Sequence, residues 1–469
     1  MARTISIVLL LGLLTWNSEA NQRVSTRQIQ CGAAAIQKCS DEFRLCNAFV
    51  DGTEECGHCQ LGFVEFAESN ASSSNGPAPC VEIANLDAQR FTEIYDPYYS
   101  DTSKDASELT SYLKQSARLI SQSNVLNPNS AFTLGLTSYS ADSELEFQQR
   151  SGYFYVNVTG TSDEIPTFVP PTVAAADIPK SIDWLQSGAV TPVKEQFRCG
   201  CSWAIGVGGA IEGAVFLVDR SNDSVSFQQF ISCNKRNLGC DGGSMTIAAL
   251  YAAGNWYGGV TAFTDYPFVN RDGLTTESCE LANESPPQLS MKVANPVTVV
   301  GFDAAVGFDE RVETFKLALM QKPISIVMKS SCNMFSNYFS GILTDDGQCA
   351  CSEAVCYDHS VLMVGYDDAG ETPYFKFKNS WGTQWGEDGY FRVAQIERGQ
   401  FGLFGILGEG LMVDADRTKD AKRIDMDDSD DDGIIFPIWS VVTMAVASSL
   451  ICFCCVYVLC ACWLKKRQI

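Results

Sequence analysis

The 20 cysteines of this chain fall into three separated groups, and that placement constrains the fold more than any other feature. Six of them (Cys31, Cys39, Cys46, Cys56, Cys59 and Cys80) lie within 50 positions, and none follows until Cys199. Nine run from Cys199 to Cys356, and five (Cys452, Cys454, Cys455, Cys460 and Cys462) sit near the C-terminus. Whether such thiols pair depends on the compartment. Arg3, the apolar run Ile5 to Leu14 and the small-x-small end Ser18-Glu19-Ala20 read as a secretory signal over residues 1–20. An oxidising route turns clustered cysteines into bridges, so 21–81 is predicted to be a small, loop-rich disulfide module. A zinc site on Cys56, His58 and Cys59 is the rival reading, which an oxidising compartment disfavours.

The other end carries an anchor. No charged residue occurs from Gly433 to Leu464, longer than the roughly 20 apolar residues that cross a bilayer. Lys465-Lys466-Arg467 follows, and basic residues mark the cytoplasmic side. The expectation is a single-pass type I protein: a transmembrane helix over 434–464, a cytoplasmic tail over 465–469 and the bulk outside the cytoplasm. Cysteines nearest the tail are palmitoylation candidates, with plain packing in a lipid-facing helix as the alternative. The acidic run Asp425 to Asp432 repels itself and reads as part of a stalk over 414–433. Four sequons, at Asn70, Asn157, Asn222 and Asn283, fit glycosylation on this route.

Charge and histidine count narrow the function. A net charge of −23 repels phosphates, which argues against nucleic-acid partners. Only two histidines, His58 and His359, exclude a multi-histidine metal cage, and we expect no metal and no cofactor. Residues 82–177 hold no cysteine. Leu109, Tyr112, Leu113, Ala117 and Ile120 repeat at helical spacing there, predicting one amphipathic helix. Pro166 to Ala176 reads as an extended linker accessible to proteases.

From Ile178 the texture changes to glycine, aromatics and cysteine. Ile178-Pro-Lys-Ser-Ile-Asp-Trp184 and Gln196-Phe-Arg-Cys-Gly-Cys-Ser-Trp203 resemble the start of a mature papain-family cysteine protease. Cys240-Asp-Gly-Gly243, Asp358-His359-Ser-Val and Asn379-Ser-Trp381-Gly-Thr-Gln-Trp-Gly386 continue the resemblance in order, over about 178 to 413. The family implies an α+β fold of two lobes, the left helical around 202–217 and the right β-rich. It also implies an inhibitory propeptide. Asn127 to Leu136 and Glu144-Leu-Glu-Phe147 look like its end, so 82–177 is read as a degenerate propeptide plus linker, with a plain spacer as the alternative. Upstream, Cys56-Gly-His58-Cys59-Gln-Leu-Gly-Phe63 resembles the tail of EGF-like modules, whose protein partner the residues do not name.

Each implied role has a physical basis. His359 would be the base, and Asn379 would hold its orientation through the side-chain carbonyl. Trp381 would shield that bond from water. Gln196 would offer an amide N–H to the developing oxyanion. Gly242 and Gly243 allow an extended peptide to pair with the main chain, and Asp358 and Trp381 join them as substrate-binding candidates. The resemblance pairs Cys199 with Cys240 and Cys233 with Cys279. It leaves Cys332, Cys349, Cys351 and Cys356 to form two further bridges, and Cys201 as the odd thiol.

The nucleophile departs from the family. C-G-S-C-W becomes Cys199-Gly-Cys201-Ser202-Trp203, so the catalytic position holds Ser202 and a cysteine stands one residue early. A hydroxyl titrates far above a thiol, so no resting ion pair with His359 is expected. The leading expectation is a peptidase with an atypical nucleophile, Ser202 or a shifted Cys201. The alternatives are a membrane-anchored peptide-binding pseudoprotease and a silicatein-like, silica-templating protein. Gly206, Gly208, Gly209 and Gly213 weaken the following helix by up to about 1 kcal/mol each relative to alanine. They serve either close packing or a looser helix start.

Overall fold

The helix that follows Cys201 is apolar almost throughout, so the rest of the fold has to enclose it. The computed structural model describes residues 38–40, 44–48, 54–65, 80–99, 105–127, 130–161, 163–255, 259–275, 278–279, 289–302, 305–345, 347, 349–351 and 353–417. The predicted signal, the anchor, the tail and the predicted stalk from 418 onward, together with Asn70 and Asn283, lie outside the described residues, while residues 414–417, predicted as the start of the stalk, end the last strand of the fold instead.

The upstream part contains β1 (Arg44–Ala48), β2 (Glu54–Cys59), β3 (Phe63–Glu65), β4 (Cys80–Glu82), α1 (Ala88–Tyr99), α2 (Ala106–Leu126), β5 (Phe132–Leu134) and α3 (Glu144–Gln149). β1 pairs with β2 and β3 with β4, both antiparallel, and Cys59 bonds Cys80. Cys59 is thereby removed from any zinc site. The amphipathic stripe forms α2 as its spacing requires: Asp105 caps Glu108 N at 2.8 Å, and Leu109, Leu113, Ala117 and Ile120 are buried. Packing runs without a break across residue 82. Gly62 N donates to Ser121 Oγ at 3.0 Å, Lys114 Nζ to Ala84 O at 2.9 Å, and Val64, Ile83 and Leu86 share a core cluster with the stripe of α2.

Downstream come β6 (Ser181–Asp183), α4 (Ser202–Asp219), α5 (Phe227–Cys233), α6 (Met245–Leu250), β7 (Met291–Thr298), α7 (Phe308–Leu319) and β8 (Ile324–Met328). These are followed by α8 (Asn333–Ser336), β9 (Tyr338–Leu343), β10 (His359–Asp367), β11 (Tyr374–Lys378), β12 (Tyr390–Ala394) and β13 (Gly410–Arg417). The fold is α+β, with helices gathered around α4 and a sheet ordered β5-β9-β12-β11-β10-β8-β13-β7, β6 adding to β10. The upstream β5 enters this sheet beside β9, so the two parts of the chain share backbone hydrogen bonds.

Among the described residues, α4 is the one helix long and apolar enough to cross a bilayer, and it is buried as core instead. Gly206, Gly209 and Gly213 serve close packing, whereas a Cβ on Gly208 would make only ordinary contact, 3.6 Å from Val225. A Cβ on Gly206 would lie 2.4 Å from Ser360 Oγ, and one on Gly213 would lie 2.8 Å from Pro323. The helix is tied at mid-length by Glu212, buried, which accepts from Lys194 Nζ at 2.6 Å and Val225 N at 2.8 Å, with Lys378 Nζ at 3.7 Å. Burial alone would raise the Glu212 carboxyl, but Lys194 and Lys378 bring it below its ordinary value.

The family-implied bridges Cys199–Cys240 and Cys233–Cys279 are present, and the other four cysteines form Cys332–Cys349 and Cys351–Cys356. Cys201 is the free thiol among the described residues.

Candidate active site

The turn before α4 decides which side chain meets the cleft. Cys199 is bonded to Cys240, Gly200 N donates to Cys240 O at 2.8 Å, and Cys201 N to Cys199 O at 2.8 Å. That turn leaves Cys201 at the N-cap and Ser202 as the first helical residue. The Cys201 side chain faces inward, fully buried in the apolar cluster that contains Trp203. Burial pushes its thiol well above the ordinary range, and the nearby Glu195 adds to the rise. A protonated, enclosed thiol is a poor nucleophile. Ser202 Oγ faces the other way: it accepts from Ser360 N at 3.2 Å and donates to the carbonyl of Ser151.

The opposite wall carries His359, the candidate base. His359 opens β10, and its Nε2 lies 2.8 Å from Asn379 Oδ1. Ser380 N donates to the same Oδ1 at 2.8 Å, so the amide oxygen faces the ring. Nε2 therefore carries the proton, and Nδ1 of the neutral ring holds a lone pair toward the cleft. Trp381 covers this pair, its ring centred 4.8 Å from the imidazole. Burial lowers the His359 pKa, against the opposing effects of the Asn379 bond, Asp358 and the Ser151 carbonyl.

Between the walls runs an upstream segment, 150–154, strand-like only at the isolated bridge of Tyr153 with Gly243 and called the strand below. Gly243 N donates to Gly152 O at 2.8 Å and Phe154 N to Gly243 O at 3.2 Å, a parallel bridge. Tyr153 N donates to Asp358 O at 2.9 Å. The fit depends on glycine. Gly152 has φ +77°, and a Cβ there would lie 2.0 Å from Gly200 O; Gly242 has φ +115°. Gln196 Nε2 donates to Arg150 O and, at 2.8 Å, to Cys199 O, while Gln196 Oε1 accepts from Ser380 Oγ at 2.6 Å.

The Ser151 carbonyl sits at the junction. It accepts the hydrogen bond of the Ser202 hydroxyl and stands 3.5 Å from His359 Nδ1. A neutral Nδ1 cannot donate to it, so this carbonyl separates hydroxyl from base. Arg150 is locked by Asp142 at 2.7 Å and Phe197 O at 3.0 Å, and lies over the Tyr139 ring. Tyr139 and Phe147 also pack on Trp381, at 5.0 and 5.2 Å.

Gln196, Ser202, His359, Asn379, Trp381, Gly242 and Gly243 thus surround one peptide. Asp358 is placed differently from expectation. Its carboxylate turns to Lys329 Nζ at 2.6 Å and Ser330 N at 2.8 Å, and its main-chain carbonyl alone meets the strand. The sequence reading missed Arg150, Ser151 and Tyr153, Ser360 with its N–H on Ser202, and Glu409. Glu409 had a visible signal: it is the one charged residue in the apolar run Phe401 to Val413. Asn157 and Asn222 are exposed.

Chemically, the array can place a peptide carbonyl before a hydroxyl, a neutral imidazole and an amide donor. The profile described as papain family cysteine protease matches residues 178–405. Cysteine proteinase B of Leishmania mexicana is 32% identical over 325 residues, 68% of each chain. Cysteine proteinase COT44 of Brassica napus is 30% identical over 299 residues, 62% of this chain and 84% of its own. Among solved structures, digestive procathepsin L2 of Tenebrio molitor larval midgut has a TM-score of 0.58 at 25% identity, over 70% of this chain and 98% of its own. The proform of the ragweed pollen allergen Amb a 11 has a TM-score of 0.55 at 26% identity, covering 70% and 93%. By fold, by sequence and by the order of its site residues, the chain belongs to the papain family of cysteine proteases.

Proposed function

We propose that this protein is a latent, membrane-tethered peptidase in which Ser202 is the nucleophile, His359 the base and Asn379 its positioning partner. One observation carries the reading: Gln196 Nε2, Ser202 Oγ and His359 Nδ1 converge on two successive peptide carbonyls, those of Arg150 and Ser151. With a substrate in place of the strand, His359 Nδ1 takes the Ser202 proton as Oγ bonds the scissile carbon. Gln196 and the main-chain amide of Ser202 at the start of α4 hold the oxyanion. The imidazolium then protonates the leaving amine. Water, deprotonated by the same ring, releases the acyl group and restores the hydroxyl.

In this reading residues 82–177 are the pro-segment. The likeness to two proforms supports it, as does the Ser151 carbonyl between hydroxyl and base. Processing falls in the exposed stretch Val169 to Ala174. The uncharged run 434–464 anchors the chain with the catalytic part outside the cytoplasm, in a lysosome-like compartment or at the cell surface, with glycans at Asn157 and Asn222.

A second reading, peptide binding without cleavage, is favoured by one fact. Gln196, Gly243 and the Asp358 carbonyl all hydrogen-bond the segment in the cleft, while an oxygen stands where the family has sulfur. Silica templating has no supporting contact here. Turnover of a fluorogenic peptide library by processed protein separates the two. The proposal expects slow cleavage that Ser202→Ala removes; binding without cleavage would overturn it.

A further inference from the structure

His359 is preceded by a carboxylate, and what that carboxylate faces bears on the base. Asp358 N donates to Met328 O at 3.3 Å, and His359 stands opposite Met328 in the register of β10 with β8. That pairing brings the next residue of β8's chain, Lys329, alongside, and Lys329 N is fixed on Phe404 O at 2.9 Å. Lys329 Nζ reaches Asp358 Oδ2 at 2.6 Å, while Oδ1 accepts from Ser330 N at 2.8 Å and Ser330 Oγ at 3.0 Å. Ser331 gives Oδ2 its hydroxyl and, at 3.3 Å, its N–H. The serine donors satisfy the carboxylate oxygens but carry no charge. Among the described residues, Lys329 is the cation that cancels it. The two side chains are only 25% and 19% exposed, so water screens the pair weakly.

The other charges around the cleft have partners of their own. Arg150 of the strand is paired with Asp142 at 2.7 Å, and Lys378 at the end of β11 lies 3.7 Å from Glu212. Glu195, before α4, accepts from Phe197 N at 2.8 Å and Tyr139 Oη at 3.3 Å. Glu409, ahead of β13, accepts from Tyr153 Oη at 2.8 Å and Thr246 Oγ1 at 3.4 Å. Burial lowers the His359 pKa, and of these charges Asp358 is the one that pushes it back up.

We propose that Lys329 is a positioning residue for the base: by pairing with Asp358 it keeps that carboxylate's field off His359, so that the imidazole stays neutral in mildly acidic surroundings. The proposal rests on His359 being the base of the reading above, and deepens it. A thiolate gains from an imidazolium beside it, so a free carboxylate next to the ring would serve a sulfur nucleophile. A hydroxyl gains nothing from that charge, because a protonated ring cannot take its proton. A site that uses Ser202 works in acid only while the ring resists protonation, and an unopposed Asp358 would act against that. Lys329 removes the conflict through Asp358.

Two readouts test this, and one needs no turnover. The full-length chain has two histidines, so isotope-labelled histidine gives two imidazole signals in NMR, and the one lost in His359→Ala is followed against pH. Lys329→Gln should raise its titration midpoint by roughly half to one pH unit, the effect of an uncancelled carboxylate near a ring. Adding Asp358→Asn should cancel that rise, and Lys329→Arg, which keeps the charge, should leave the midpoint in its native place. In the processed protein the acid limb of kcat/KM should move with the midpoint in Lys329→Gln. That is about a three- to tenfold loss on the acid side, with the neutral plateau within about twofold. A role confined to packing would lower the plateau or the stability and leave the midpoint where it was. The proposal fails if the midpoint stays or falls in Lys329→Gln, if Asp358→Asn does not cancel the rise, or if neither chain titrates above about pH 4. Absent peptide turnover would count against the catalytic reading and leave the titration result standing.

Discussion

On the sheet wall of the cleft, His359, Asn379 and Trp381 form a complete base assembly. On the helix wall, the first residue of α4 presents oxygen where the family presents sulfur. The base wall is rigid for identifiable reasons: Asn379 Oδ1 is fixed by two donors, and Trp381 is caged by Tyr139, Phe147, Phe335 and Trp385. The helix wall is just as tightly built, since Cys199–Cys240 and the Gly200 contact set the turn. The substitution therefore changes the atom presented to the cleft without loosening its surroundings. What differs between the walls is chemistry, not order.

The largest effect should come from breaking the base wall. His359→Ala should lower peptide turnover by roughly 10²–10⁴-fold, the usual contribution of general base catalysis. Steady-state kinetics on the processed protein reads it. A tertiary control is Glu212→Leu, which strands the buried Lys378 and Lys194 without a counter-charge. It should destabilise the fold by about 3–5 kcal/mol in denaturant unfolding. Repairing the helix wall should work in the opposite direction. Ser202→Cys restores a nucleophile that is a few per cent ionised at neutral pH, and should raise turnover by about tenfold or more while conferring inhibition by thiol-directed epoxides.

Acidity should act on the docked strand through two groups with opposite signs. Burial holds His359 below its ordinary value, so the docked state binds fewer protons than the open one. Docking through His359 therefore weakens as pH falls below about 6.5. Glu409 is pushed up by burial to about 7 from an ordinary 4.5, so the docked state there binds more protons. Its contribution is fully present below 4.5 and is lost as pH rises through about 7. The hydrogen-exchange protection factor of the strand amides should thus vary gently with pH in the native chain. In Glu409→Gln it should fall steadily toward acid, the His359 contribution alone. The smallest effect belongs to Cys201→Ala, within about twofold on turnover, because its thiol is enclosed away from the cleft.

Much of the site could be read from the sequence because chemistry fixes those residue types. An imidazole, an amide partner, an amide donor and paired glycines stand in separated motifs. The stripe on α2 was legible because its period is local. The strand at 150–154 was not: Arg150, Ser151 and Tyr153 form no motif, and their role depends on a route that only tertiary packing defines. The sequence leaves Cys201 and Ser202 both open because their placement turns on where the helix begins, and beside the Cys199–Cys240 bridge it begins at Ser202. The glycines of α4 were ambiguous for the same reason, until Ser360 and Pro323 were seen to fill the space a Cβ would need.

The central claim is that oxygen, not sulfur, attacks in this cleft. It is tested most directly by treating the processed protein with a serine-directed fluorophosphonate and a thiol-directed epoxide, and mapping each adduct by peptide mass spectrometry. A phosphonate is expected on Ser202 and should disappear in His359→Ala, with no epoxide on Cys201. An epoxide adduct on Cys201 with Ser202 unlabelled would contradict it.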